Sequence, residues 1–162
     1  MPNKKNNLVR QLQYRLPQIK LALVHEGMAA DKLCPIASPG DAEKLLQPLR
    51  HAPEEHFVTL HLNTKHEVIG LHEVSHGTLA AALVHPREVF KAALMANSFA
   101  ILLCHNHPSC SRVEPSSEDL SITRQLLKAG TILGINVVDH LIISPNQSVY
   151  SLRENYPTLW GQ

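Results

Sequence analysis

Aromatic residues are scarce in this chain, which has three Phe, three Tyr and one Trp among 162 residues. Its core is therefore expected to be aliphatic, and the length suits one domain large enough to bury such a core unaided. Cysteine is scarce too. Cys34, Cys104 and Cys110 are odd in number and show no paired spacing, which gives no disulfide framework and suits a reducing cytoplasm. Neither sign of charge is in excess, with a formal net charge of +1. That balance argues against a protein that holds nucleic acid by unaided electrostatics. No apolar run approaches the about 20 residues of a membrane-spanning helix. The N-terminus lacks the apolar core of a signal peptide, and no repeat or low-complexity tract is present. A soluble cytoplasmic protein with no membrane partner is expected.

Two of the histidines end a short apolar run. Phe99 to Leu103, bounded by Asn97 and Ser98 before and Pro108 after, is too short for a helix and reads as a buried strand. Side chains two apart in a strand share a face, so His105 and His107 point the same way at its end. Pro115 and Ser116 then open a helical pattern with apolar residues at Leu120, Ile122, Leu126 and Leu127. Asp119 falls in the first turn of that helix, where its carboxylate can be aimed back at the two imidazoles. Two His, one Asp and a water make the open tetrahedral arrangement of a catalytic zinc. Each half also has a plain alternative. A His-x-His at a strand end can simply meet water, and Ser116-x-x-Asp119 fits a capping box that closes the helix N-terminus.

The ordered combination His105-x-His107-Pro108 followed by Ser116-x-x-Asp119 resembles the JAMM motif of MPN-domain metalloproteins. The flanks Val84-His85-Pro86-Arg87-Glu88-Val89-Phe90-Lys91, Cys104-His105-Asn106-His107-Pro108-Ser109 and Val138-Asp139-His140 are similar to the RadC-like branch, the bacterial UPF0758 group of JAB-domain proteins. The resemblance runs from about Ser38 to Glu154. It implies the α/β (α+β) class and a three-layer MPN/JAB domain, a mixed and mostly antiparallel sheet flanked by helices. It also implies a zinc hydrolase acting on a peptide or protein substrate, with His105, His107 and Asp119 as metal ligands. Chemistry on zinc-activated water needs a base. The resemblance places that base at Glu55, two residues before Phe57, with Glu54 the rival if the register slips by one. Without the resemblance both acids read as surface charge ahead of a strand. Ser116 matches the family serine that hydrogen-bonds the developing oxyanion, and it can be the helix N-cap as well. Asp139-His140, inside an apolar strand, fits either a role behind the zinc or a satisfied structural pair.

The chain departs from the branch in two places. Cys110 stands where a glycine commonly follows His-Pro-Ser, and the loop from Pro108 to Pro115 is one residue longer than the usual form. A thiol there could reach the zinc or face away, which is the expectation. The branch also carries DNA-repair and mobile-element associations, so nucleic acid is a second possible partner and an accessory or non-catalytic scaffold role is the competing function. The helix-hairpin-helix region that precedes the domain in longer relatives does not fit the short leader.

Residues 1–37 read as that leader, and residues 38–162 as the domain. The leader is basic (Lys4, Lys5, Arg10, Arg15 and Lys20), with Leu8, Leu12, Leu16, Ile19 and Leu23 at helical spacing and Pro17 as a kink. Ser38, Pro39 and Asp41 open a helix whose buried face is Ala42, Leu45, Leu46 and Leu49. Phe57–Asn63 and Glu67–Val74 read as an antiparallel hairpin turned at Thr64-Lys65-His66. Pro86 starts a helix with the stripe Val89, Phe90, Ala93 and Leu94, and His85 ahead of it reads as structural. The helix from about Ser117 is expected to end at Gly130. Strands follow at Ile135–Ile143 and Ser148–Leu152, with a loosely packed tail holding Tyr156, Leu159 and Trp160. His25, His51, His56, His61, His66, His72 and His76 show no paired spacing to an acid.

Overall fold

The structure, a computed structural model, describes residues 22–24, 34–77, 84–108 and 113–161. Helices α1 (Pro39–Leu45) and α2 (Gln47–Arg50) lead into the hairpin of β1 (His56–Leu62) and β2 (Val68–His76). Helix α3 (Pro86–Met95), strand β3 (Ala100–Asn106), helix α4 (Ser117–Leu133) and strand β4 (Asn136–Ile143) follow. The chain closes with β5 (Tyr150–Ser151), helix α5 (Leu152–Asn155) and a 3-10 turn at Pro157–Trp160. The sheet order is β2-β1-β3-β4-β5. Only β3 and β4 pair in parallel, and the other neighbours are antiparallel. A parallel pair needs a crossover, and α4 supplies it.

The sheet's two faces carry separate aliphatic cores. Phe57, Ile101 and Leu103 face α3 and α4, packing with Val89, Phe90, Ala93, Ile122 and Leu126. Val58, Leu60, Leu102 and Cys104 face the other way, onto Ala42 and Leu46 of α1 and the turn after it. These are the expected three layers, largely aliphatic, with Phe57 and Phe90 the aromatics of the first core and none in the second. Because β3 is central and buried along its whole length, alternation puts His105 on the α3/α4 face along with Ile101 and Leu103. No helix among the described residues is long and apolar enough to cross a membrane.

Local signals hold at the starts of α1 and α3. Ser38 and Asp41 close a capping box on α1, and His85 caps α3 by accepting from the Arg87 N–H at 3.2 Å. Two stripe residues do not bury, Leu45 at 39% exposure and Leu94 at 56%. Each lies one position beyond the narrow face that a short helix can present to a flat sheet. The strand expected over Ser148–Leu152 shortens to Tyr150–Ser151, because Ser151 caps α5 by accepting from the Glu154 N–H. The tail is anchored rather than loose. Trp160 Nε1 donates to the Val137 carbonyl at 2.9 Å, and Arg153 Nη1 donates to that of Val138 at 3.0 Å. The leader helix falls on residues outside those described apart from Leu23, which is exposed and not helical.

Helix α4 also runs a turn further than expected. Its cap is Gly134, at φ 69°, a left-handed position suited to glycine. Gly130 lies inside the helix for a packing reason: a Cβ there would sit 2.5 Å from the Ile135 carbonyl oxygen. Gly130→Ala should therefore destabilise by about 1–3 kcal/mol through overpacking. An unobstructed helical glycine would instead gain up to about 1 kcal/mol. The urea midpoint reads the sign directly.

Candidate metal centre

The site forms where β3 leaves the sheet. His105 is buried with its ring stacked on Phe57, centroids 6.0 Å apart and planes within 8°. The His107 N–H donates to the Ile143 carbonyl at 2.9 Å, so pairing with β4 continues through His107 before Pro108. Held on one face, the two Nε2 atoms lie 2.9 Å apart.

Helix α4 brings the first carboxylate. Asp119 Oδ1 lies 3.1 Å from His105 Nε2, and Oδ2 lies 3.5 Å from His107 Nε2. Oδ2 also accepts from the Ser116 N–H at 2.8 Å and the Ser116 hydroxyl at 2.7 Å, while Ser116 Oγ accepts from the Asp119 N–H at 3.1 Å. The capping box and the approach to the imidazoles are thus one arrangement, and neither reading displaces the other. Burial alone would raise the Asp119 pKa, but the hydrogen bonds of His105 and His107, the charge of His105 and the Ser116 hydroxyl outweigh it. They hold the carboxyl well below the usual range.

The second carboxylate is Glu55, whose Oε1 lies 3.8 Å from His107 Nε2. Glu55, His105 and His107 each offer one ligand atom, all within 4.8 Å of one another, as a group that could hold a metal ion. Asp119 is absent from that trio although it contacts both rings more closely, so two carboxylates compete for one role. Glu54 is exposed; its backbone carbonyl, not its carboxylate, is tied to the site through Asn106 Nδ2 at 2.9 Å.

Behind His105 runs a buried relay. Thr123 Oγ1 donates to the Asp119 carbonyl at 2.5 Å and meets His140 Nδ1 at 2.6 Å, and His140 Nε2 meets His105 Nδ1 at 2.8 Å. A carbonyl only accepts, so the single Thr123 proton is committed to it, and His140 Nδ1 must carry the hydrogen given to Thr123. Burial first, then the His105 charge, push His140 far below the ordinary imidazole range. It is therefore neutral and its Nε2 is a bare acceptor. His105 Nδ1 then donates to that atom, which keeps the proton of a neutral ring on Nδ1 and turns Nε2 toward His107 and the carboxylates. That is the tautomer a metal-ligating imidazole needs. Two imidazole nitrogens and a carboxylate oxygen are a fitting donor set for a first-row divalent ion such as zinc.

A family model for the RadC-like JAB domain matches residues 36–157. The chain belongs to that family. It is 50% identical over 120 residues to a UPF0758 protein of Alkaliphilus metalliredigens, covering 74% of this chain and 51% of the relative. A UPF0758 protein of Rubrobacter xylanophilus is 47% identical over 121 residues, covering 74% and 52%, and one of Methanosarcina mazei is 44% identical over 115 residues, covering 70% and 50%. The chain thus spans about half the length of the curated relatives it matches.

Within this RadC-like JAB domain the Asp139-His140 pair divides between faces. His140 turns to the metal-site side. Asp139 accepts from the Ser151 hydroxyl at 2.5 Å, the Arg153 N–H at 2.9 Å and the His140 N–H at 2.7 Å. Burial raises the Asp139 pKa, partly offset by those three donors. Neighbours in a strand point oppositely, so Asp139 is the satisfied structural member and His140 faces the imidazole pair. Thr123 and Asn106 were missed by sequence reasoning, because nothing in their spacing marks them. His56 and His76 do find an acid: Glu73 lies 2.5 Å from His56 Nδ1 across the hairpin and 3.9 Å from His76 Nδ1 along its own strand. Cys110 and the lengthened part of its loop lie outside the described residues.

Proposed function

We propose that the protein is a zinc-dependent hydrolase of the JAMM type that cleaves a peptide or isopeptide bond in a peptide or protein substrate. The observation that carries this reading is the pair of Nε2 atoms 2.9 Å apart, in contact with both Asp119 and Glu55. His105, His107 and Asp119 are the ligands. Asp119 is preferred to Glu55 as the third because it is 2% exposed and fixed by Ser116, whereas the described polar contact of the Glu55 carboxylate is the longer one to His107. When bound, the ion supplies Lewis acidity, polarising the scissile carbonyl and making water easier to deprotonate near neutral pH.

The remaining steps belong to the chain. Glu55, partly exposed beside His107, takes a proton from the attacking water and returns it to the leaving nitrogen. The Ser116 hydroxyl donates a hydrogen bond to Asp119 in the resting site and can turn toward a developing oxyanion, since Oδ2 keeps the Ser116 N–H. Cleavage of an internally quenched peptide library by zinc-loaded protein, stopped by chelator, is the test. The competing nucleic-acid reading predicts instead DNA binding that weakens steeply with salt.

The relay behind His105 makes a separate expectation. Replacing the partner of a metal-ligating imidazole typically costs about 10–100-fold in metal affinity. His140→Ala should fall in that range. A competitive chelator titration measures it, and unchanged affinity would show that His140 only fills the core.

A further inference from the structure

We infer that Asn106 is a positioning residue, one that fixes the backbone of Glu55 and thereby sets the base against the two imidazoles. The inference rests on the reading of Glu55 as the base. Asn106 lies between His105 and His107, so strand alternation sends its side chain to the opposite face. It is 1% exposed, and a buried carboxamide must find partners. Its Oδ1 accepts from the His56 N–H at 2.7 Å, and its Nδ2 donates to the Glu54 carbonyl at 2.9 Å. Those two backbone groups flank Glu55 on either side.

The sheet explains why a side chain is used there. The β1–β3 ladder ends at the pair Phe57↔His105, and the backbone of Asn106 pairs with Ile143 on β4. One more rung between β1 and β3 would face His56 with Asn106, and the carboxamide supplies it. It carries the same donor and acceptor as a peptide group. On the other side, the Gly77 N–H donates to the Glu55 carbonyl at 2.9 Å. Glu55 precedes β1, where a chain would ordinarily be free of the ladder, yet hydrogen bonds hold the backbone at residues 54, 55 and 56. The residue that supplies two of those bonds is covalently joined to both imidazole-bearing residues, so base and ligands share one rigid reference. No other natural side chain of that length offers both a donor and an acceptor. An aspartate would set a second oxygen against the Glu54 carbonyl, and a leucine would leave both backbone groups without this partner.

A misplacement of about 1 Å can cost on the order of 100-fold in rate. Asn106→Ala is therefore expected to keep near-stoichiometric zinc, to hold KM, and to lose about 10–100-fold in kcat on the quenched peptide library. In the Glu55→Gln background the same substitution should cost nothing further. A loss of metal affinity in step with kcat, wild-type kcat, or a further loss in the double variant overturns the inference. Asn106→Ser repeats the comparison if the alanine variant does not fold. Two readouts need no turnover. Amide exchange in the wild-type protein should show the His56 N–H as protected as the ladder from Phe57 to Leu62, and fast exchange there overturns the inference. A crystal structure of the folded Asn106 variant should show the Glu55 carboxylate displaced from His107, and an unmoved carboxylate overturns it. If Glu55→Gln cleaves as well as wild type, the base assignment fails on its own. Exchange and displacement then still decide whether Asn106 places Glu55.

Discussion

Glu55→Gln is expected to lose about two to four orders of magnitude in kcat, the usual contribution of a general base, while its fold and metal content stay as they were. Glutamine keeps the size and hydrogen-bonding capacity of the side chain and removes only its basicity. Glu55 contacts the imidazole pair at 3.8 Å through His107, whereas Asp119 approaches at 3.1 Å and is anchored by Ser116. Losing the Glu55 charge should therefore leave the ligand set intact. Glu54→Gln is the control. Its carboxylate is exposed, and its tie to the site runs through a backbone carbonyl that the substitution does not touch. That variant should stay close to wild type in rate, with a stability change within about 0.5 kcal/mol. If Glu54→Gln is the dead variant, the register of the base is off by one. If both remain active, the JAMM mechanism does not operate in this protein. If Glu55→Gln loses its metal along with its rate, Glu55 is a ligand and Asp119 must take another role.

The parts of this site that could be read in the sequence are those set by local periodicity. His105 and His107 share a face because a strand repeats every two residues, and Asp119 reaches them because it sits in the first turn of a capped helix. The rest depends on which segments the fold brings together. Asn106 looks like a spacer between two histidines until β1 is laid beside β3. Thr123 looks like any helical polar residue until β4 puts His140 against it. The Asp139-His140 pair was visible, but the division of its roles depends on which face of β4 meets α4. The two glycines near the end of α4 show the same limit. Both are plausible caps by composition, and only the 2.5 Å approach of the Ile135 carbonyl to a Cβ at Gly130 tells them apart. His56 meets Glu73 only across the hairpin, where spacing along the chain says nothing.

His105→Ala and His107→Ala should both lose the metal, yet they should differ in what they do to the metal-free protein. His105 is buried at 2% exposure, stacked on Phe57, and it occupies the His140 acceptor. Its removal opens a cavity and orphans a buried nitrogen, each a destabilising change, with a combined cost of about 2–5 kcal/mol. The His107 side chain is 12% exposed at the rim, and its Nδ1 has no hydrogen-bond partner among the described residues. Truncating it should cost the metal-free protein about 1 kcal/mol or less. Adding zinc then separates the two roles of each residue. A ligand present at a thousand times its Kd stabilises the folded state by about 4 kcal/mol, and wild type should show that gain in its unfolding midpoint. Neither variant should show it. A His107 variant with near-normal metal-free stability and no response to zinc identifies the imidazole as a ligand rather than a packing element. Full zinc retention in both variants would sink the ligand assignment, and with it the reading of the site as a catalytic metal centre.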